Sequence, residues 1–183
     1  MASISSLIRS EPDTARTLII KLSALLRRLL RSHEHFVTLR DELESVDEYL
    51  DIEVVRFGPK LKVRKEIDPD TLELIVPSMI LQPLVENSIK HGLSRKVGAG
   101  SITIRSQREN GRATIEVEDD GMGFLPDRLD QPMSSGIGLA NVRERLRVIY
   151  GATYQLTLTS EPGKGTRARI EIPELVTAEQ ITA

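Results

Sequence analysis

Cysteine is absent from the 183 residues, which excludes a disulfide framework and a thiolate metal site and leaves a reducing compartment allowed. No charge of one sign prevails, because 25 Lys and Arg stand against 27 Asp and Glu. Without a global field to gather nucleic acid or an anionic membrane surface, no nucleic-acid partner is expected. Long hydrophobic runs are lacking too. The longest, Leu72 to Leu84, is broken by Glu73, Pro77, Gln82 and Pro83 and is too short to span a bilayer. The N-terminus does not show the basic-then-apolar order of a secretory signal. A soluble cytoplasmic chain is the expectation, long enough for one well-filled core and a short appended module.

Along the chain, Glu11, Pro12 and Asp13 suit a first helical turn. Leu18, Leu22, Leu25, Leu26 and Leu29 then recur at helical spacing, with Arg16, Lys21, Arg27, Arg28 and Arg31 mostly between them. A second amphipathic helix begins near Thr38, where Thr38 and Asp41 form a capping-box-like pair, and passes through Leu43, Val46 and Leu50 to Gly58-Pro59. Such a hairpin cannot hold a core alone, so it packs either on the following domain or on a second copy of itself.

Beyond Pro59 the pattern alternates. Leu61-Val63-Lys65-Ile67, Ile102-Ile104-Ser106 and Ala113-Ile115-Val117-Asp119 read as half-buried strands. Pro77 to His91 suits a helix with Pro77 in its first turn and Gly92 as its stop, and Gly138 to Tyr150 suits another, ended by Gly151. Tyr154 to Thr159 and Arg167 to Ile172 close the chain as two strands joined by the turn 161–165. Strands and helices without strict alternation favour an α+β fold: a two-layer α/β sandwich with helices on one face of a mostly antiparallel mixed sheet, preceded by the hairpin. The expected division is 1–59 for the hairpin, 60–175 for the main domain and 176–183 for a polar tail.

Three glycine-rich turns follow one another: Asp119-Asp120-Gly121-Met122-Gly123, Ser134-Ser135-Gly136-Ile137-Gly138-Leu139 and Pro162-Gly163-Lys164-Gly165-Thr166. Each is either an ordinary tight turn or a place where backbone approaches a ligand, and a helix opening after Gly138 aims free N–H groups at an anion. The segment Leu81-Gln82-Pro83-Leu84-Val85-Glu86-Asn87-Ser88-Ile89-Lys90-His91-Gly92 adds a polar Asn on an otherwise apolar helix, which needs a partner. Its amide oxygen suits either a core hydrogen bond or a hard cation such as magnesium, and Lys90, nearly one turn on, suits a phosphate.

In these segments the sequence resembles the GHKL superfamily of ATP-binding proteins and, within it, histidine kinases of the LytS type. Leu81 to Gly92 looks like the N box, Asp119 to Gly123 like the G1 box, Gly136 to Leu139 like the G2 box, and Gly165-Thr166 like the closing GT element. The helical part is similar at Leu7-Ile8-Arg9, Leu25-Leu26-Arg27, Val37-Thr38-Leu39, Asp41-Glu42-Leu43, Tyr49-Leu50 and Arg56-Phe57.

The resemblance implies a Bergerat-type ATP-binding fold and a protein histidine kinase using ATP and Mg2+. Asn87 would hold the metal, and Lys90 and His91 would line the phosphate path, with Asn87 and Lys90 serving catalysis. Asp119 would accept a hydrogen bond from the adenine amino group, Gly121 and Gly123 would let backbone close over the base, and Thr166 would complete its pocket. Gly136, Gly138 and Leu139 would belong to the second glycine box, and 124–135 would be a lid. The acidic base that water-using relatives place one turn before the Asn is replaced by Pro83, so direct hydrolysis is not expected; Glu86 is either catalytic or structural. LytS-type kinases carry their acceptor in an Asn-Pro-His-Phe segment upstream of Leu7-Ile8-Arg9, and His33, His35 and His91 are the histidines here. The acceptor is therefore expected outside this sequence and the isolated chain is not expected to phosphorylate itself. Also implied are homodimerisation in the full-length protein, a response-regulator partner, and inner-membrane anchoring through other segments. Two alternatives remain: a GHKL serine kinase that regulates a sigma factor, and a non-catalytic ATP-responsive dimerisation module.

Overall fold

The structure, a computed structural model, describes residues 35–124 and 136–174 together with positions 8, 11–13, 15–16 and 19. Positions 8, 12–13, 15–16 and 19 are helical. The rest of the expected first helix, His33, the stretch 125–135 and the tail 176–183 lie outside the described residues.

Thr38 opens helix α1 (Leu39–Phe57) as its pairing with Asp41 predicts. Thr38 Oγ1 accepts the Asp41 N–H at 3.1 Å and Asp41 Oδ2 accepts the Thr38 N–H at 3.1 Å, so two donors at the helix start are satisfied reciprocally. The helix ends at Gly58, where φ is 62°, and Pro59 cannot continue it. Before α1, the short strand β1 (Phe36–Thr38) pairs antiparallel with β3 (Ile75–Pro77).

The main sheet contains β2 (Leu61–Ile67), β4 (Gly100–Glu109), β5 (Arg112–Asp119), β6 (Gln155–Glu161) and β7 (Gly165–Pro173), in the order β2-β4-β5-β7-β6. The β2–β4 pair is parallel and the other pairs are antiparallel. A parallel pair requires a crossover, and the chain between β2 and β4 supplies it, carrying β3 and the second helix.

Alternation sends Ile102, Ile104, Ile115, Val117, Ala168, Ile170 and Ile172 to one face, where they are buried. The opposite face carries ion pairs. Arg105 bonds Glu66 at 2.7 Å, Glu116 at 2.9 Å and Glu118 at 2.6 Å, and Arg167 bonds Glu118 at 2.6 Å. One hydrophobic core lies between the apolar face and three helices: Leu39, Leu43, Val46 and Leu50 of α1, Leu84 and Val85 of α2 (Gln82–Asn87), and Leu139, Val142 and Leu146 of α3 (Gly136–Tyr150). Of the two packings open to the second hairpin helix, α1 adopts the one on the domain.

The α+β sandwich, the strands and the last helix match the sequence expectation, but the helix expected from Pro77 to His91 begins later. Pro77 ends β3 opposite Phe36, and Met79 takes φ 59°, which helical backbone cannot. Helix α2 therefore starts at Gln82 with Pro83 in its first turn. Gly92 is not a left-handed stop either. After Asn87 the coil widens into a π-helical turn, Ser88–Leu93, which runs through Gly92.

Replacing Thr38 by Ala removes the capping box and is expected to cost about 1 kcal/mol. Urea unfolding should show a lower midpoint with an unchanged slope, because the surface exposed on unfolding stays the same.

Candidate functional site

The continuous helix formed by α2 and the π turn presents two adjacent rows of side chains. Leu84, Asn87, Ser88, His91 and Gly92 face a pocket whose other walls are Asp119, Gly123, Phe124, Leu158, Thr166 and Ala168. Pro83, Glu86, Asn87, Lys90 and His91 face a cleft of about 440 Å³ closed by Met79 and, from α3, by Gly138, Asn141, Val142 and Arg145. Spacing of three and four residues makes both rows. Asn87 and His91 line both spaces, so they stand where pocket and cleft meet.

Asp119 ends β5 at the bottom of the pocket and is 2% exposed. Burial pushes its carboxyl above the ordinary carboxylate range, while the Gly121 N–H, the Ser88 hydroxyl and the Thr166 N–H oppose that rise. The Gly121 N–H donates to Asp119 Oδ1 at 2.9 Å. Its neighbour Asp120 behaves oppositely. Partial burial raises it, but Lys96 at 2.9 Å and the Ser101 N–H at 2.7 Å bring it below the usual range. The two carboxylates point apart: Asp119 lines the pocket, and Asp120 meets Lys96 and the Ser101 N–H.

Glycine is required around Asp119 by close backbone packing. A Cβ at Gly121 would overlap the Gly92 backbone, and one at Gly123, where φ is 58°, would overlap the Glu161 carbonyl. Backbone bonds then join the motifs: the Met122 N–H donates to the Gly92 carbonyl at 3.1 Å and the Gly163 N–H to the Met122 carbonyl at 2.7 Å. Thr166 sits opposite Asp119 in the β5–β7 register, and its hydroxyl lies 3.0 Å from Ser160 Oγ, which accepts the Phe124 N–H at 2.9 Å. The pocket beside Asp119 measures about 30 Å³, room for a water-sized group. Admission of anything larger requires it to widen.

In the cleft, Lys90 Nζ bonds Glu86 Oε2 at 2.7 Å, and the other Glu86 oxygen accepts from Gln82 at 3.0 Å. The Lys90 side chain is 60% exposed and that of Glu86 31%. An exposed pair of this kind is worth at most about 1 kcal/mol, so an anion entering the cleft can draw Lys90 away at little cost. Arg145 donates through Nη1 to the Ser78 carbonyl and, at 3.2 Å, to Ser78 Oγ.

Of the residues singled out from sequence, Asn87, His91, Asp119, Gly123 and Thr166 line the pocket, and Asn87, Lys90, His91 and Gly138 line the cleft. Gly121 supports Asp119 from behind, and Gly136 opens α3. Leu139 is 2% exposed and belongs to the core. Sequence reasoning passed over Ser88, Asn141 and Arg145. The last two follow Gly138 by three and seven residues on α3, a spacing that places all three on one helix face.

The pattern of the histidine kinase-, DNA gyrase B- and HSP90-like ATPase family matches residues 73–176, and a histidine kinase pattern matches residues 1–61. Sensor histidine kinase BtsS of Escherichia coli strain K12 is 36% identical over 170 residues, covering 93% of this chain and 30% of that protein. Sensor histidine kinase YpdA of the same strain is 40% identical over 154 residues, or 81% of this chain and 27% of that protein. Sensor protein LytS of Bacillus anthracis is 31% identical over 186 residues, or 97% of this chain and 32% of that protein. The chain thus spans under a third of the length of these relatives. In fold, it is similar to the histidine kinase domain from the Erythrobacter litoralis EL346 blue-light activated histidine kinase, with a TM-score of 0.62 at 22% identity, covering 97% of this chain and 84% of that one. The catalytic domain of histidine kinase ThkA gives a TM-score of 0.59 at 18% identity, covering 76% of this chain and 94% of that one. A pocket floored by a buried aspartate and a cationic cleft beside it, joined through one asparagine-bearing helix, thus sit in a chain that belongs to the histidine kinase-, DNA gyrase B- and HSP90-like ATPase family, with LytS-type sensor kinases among its relatives.

Proposed function

We propose that this chain is the ATP-binding catalytic portion of a two-component sensor histidine kinase, which transfers the γ-phosphoryl group of ATP to a histidine outside these residues. The carrying observation is the buried Asp119 carboxylate in an apolar-walled pocket that shares Asn87 and His91 with the cleft of Lys90 and Arg145. A nucleobase amino group is a donor suited to the Asp119 oxygen that does not bond Gly121, and Leu84, Leu158 and Ala168 offer apolar walls to its ring. The polyphosphate then lies along Asn87, Lys90, His91 and Gly138.

Among the described residues no cluster of three acidic or histidine side chains could hold a metal. The neutral Asn87 amide oxygen would be the residue's contribution to holding a magnesium ion, whose chemistry there would be to neutralise phosphate charge. Gly121, Gly123 and Thr166 shape the base pocket, and Gly136, Gly138 and Leu139 set the start of α3 beside the phosphates. Residues 60–175 carry this site and 1–59 the dimerisation side, with 176–183 a tail. In the full-length protein the reading entails homodimerisation, a response-regulator partner and inner-membrane anchoring elsewhere in the chain; among the described residues no helix is long and apolar enough to cross a membrane.

Four outcomes test this reading. In Asp119→Asn the amide can present its oxygen to the Gly121 N–H or to the base, but not to both, so ATP affinity should fall about tenfold in calorimetry, the cost of one unpaired buried donor. The same variant should melt higher than wild type at neutral pH without nucleotide. The folded state holds the Asp119 proton more tightly than the unfolded chain, so this group's contribution to stability is fully present below the ordinary carboxylate range and is lost as pH rises through the folded value. The melting difference should accordingly vanish as pH falls into that range. Asn87→Asp adds charge at the metal-facing position and should change the magnesium dependence of ATP binding; an unchanged dependence would make Asn87 a core amide. Incubation with γ-labelled ATP should leave no acid-labile, base-stable phosphate on this chain. His91 forms the site's own wall, and the His35 carbonyl is tied to the Ser78 N–H at 3.0 Å. Labelling lost on mutating His33 or His35 would overturn an external acceptor.

A further inference from the structure

Three elements meet at the turn that precedes α2. Glu42, on α1, is 4% exposed, and its carboxylate accepts the N–H groups of Met79 at 2.6 Å, Ile80 at 3.0 Å and Leu81 at 2.9 Å. Donors at a helix start have no partner within the helix, and α2 has no side-chain cap of its own. Its cap comes instead from another helix. The positive φ of Met79 turns the backbone so that three successive donors converge on one carboxylate. From the other side Arg145, on α3, holds Ser78 by its carbonyl and hydroxyl, and its charge favours the Glu42 anion. Met79 and Arg145 are themselves walls of the cleft that contains Asn87, Lys90 and Gly138.

We propose that Glu42 is a positioning residue of the nucleotide site: it fixes the start of α2 to α1 and, with Arg145, sets the spacing of α2 and α3 across the phosphate cleft. A displacement of α1 is thereby passed to Asn87 and Lys90 through the backbone of residues 79–81. The inference rests on the proposed reading of the cleft as the phosphate site. It adds that α1 tunes affinity for the polyphosphate and leaves recognition of the base to Asp119, because no wall of the base pocket belongs to the clamped turn.

The test compares Glu42→Gln with Leu50→Ala in the whole chain. Gln keeps the shape and one acceptor oxygen but loses the charge and the second acceptor. Leu50 is equally buried on the same helix, so its truncation lowers stability without touching the turn. At temperatures where both variants are folded, amide exchange at Met79, Ile80 and Leu81 should quicken about tenfold in Glu42→Gln, as expected for losing bonds to a charged acceptor. The Asn87 side-chain and Gly138 backbone resonances should move. The ratio of ATP to adenosine affinity should fall by about the same factor, since only the phosphates feel the cleft. Leu50→Ala should change none of these. A Glu42→Gln chain that melts lower yet keeps the wild-type Asn87 and Gly138 resonances and the wild-type affinity ratio would reduce Glu42 to a structural cap. If Gln at this position prevents folding, Glu42→Asp, whose shorter arm cannot reach all three donors, is read in the same way. Should wild type bind neither ATP nor adenosine, the nucleotide reading fails by itself, and the resonance comparison decides the role of Glu42.

Discussion

The site depends on one close backbone approach, that of the π-helical turn at Gly92 to the segment 119–122. The Gly92 carbonyl accepts the Met122 N–H, a side chain at Gly121 would overlap the Gly92 backbone, and one at Gly92 would overlap the Asp119 carboxylate. This contact determines where Asn87 and His91 stand relative to Asp119, because all three are carried by the two backbones that touch. It also explains why glycines recur in separated parts of the chain. They are the two sides of the same joint, and Gly163 extends it by bonding Met122.

Two carboxylates, Glu42 and Asp119, are buried in this fold, and burial raises the proton affinity of both. Removing a carboxylate from water costs several kcal/mol unless donors replace the water. Glu42 is answered by three N–H groups, each worth about 1.5–3 kcal/mol as a bond to a charged acceptor. Asp119 is answered by the Gly121 N–H, the Ser88 hydroxyl and the Thr166 N–H, and it also lines a pocket. The carboxylate enclosed by backbone holds a helix in place, whereas the one in a pocket wall is within reach of a ligand's donor.

Most of this was legible where the deciding contacts are local. Strand alternation, the Thr38–Asp41 box and the glycine turns at 119–123 and 162–166 are short-range signals, and each appears in the fold at the expected residues, whereas Gly136–Leu139 of the remaining glycine segment are already helical. The start of α2 was misplaced because what ends β3 and begins the helix is a carboxylate 37 to 39 residues away in sequence. A trace of it was nevertheless present: Glu42 lies within the apolar stripe of Leu39, Leu43 and Val46, where an unpartnered charge is not tolerated. The π widening left no such trace. It carries Gly92 against Asp119 and Gly121, neighbours that only the folded arrangement brings together.

Because α1 supplies Leu39, Leu43, Val46 and Leu50 to the same core as the sheet, and β1 supplies the partner of β3, the limits of a recognisable pattern and the limits of a physically independent unit differ here. A fragment trimmed to the family match at residue 73 would retain all four nucleotide boxes. It would also lose one wall of its core, the strand that pairs with β3 and the Glu42 carboxylate at the start of α2. In exchanging such modules between proteins, the junction belongs before Phe36, on the far side of the helix that the motifs leave out.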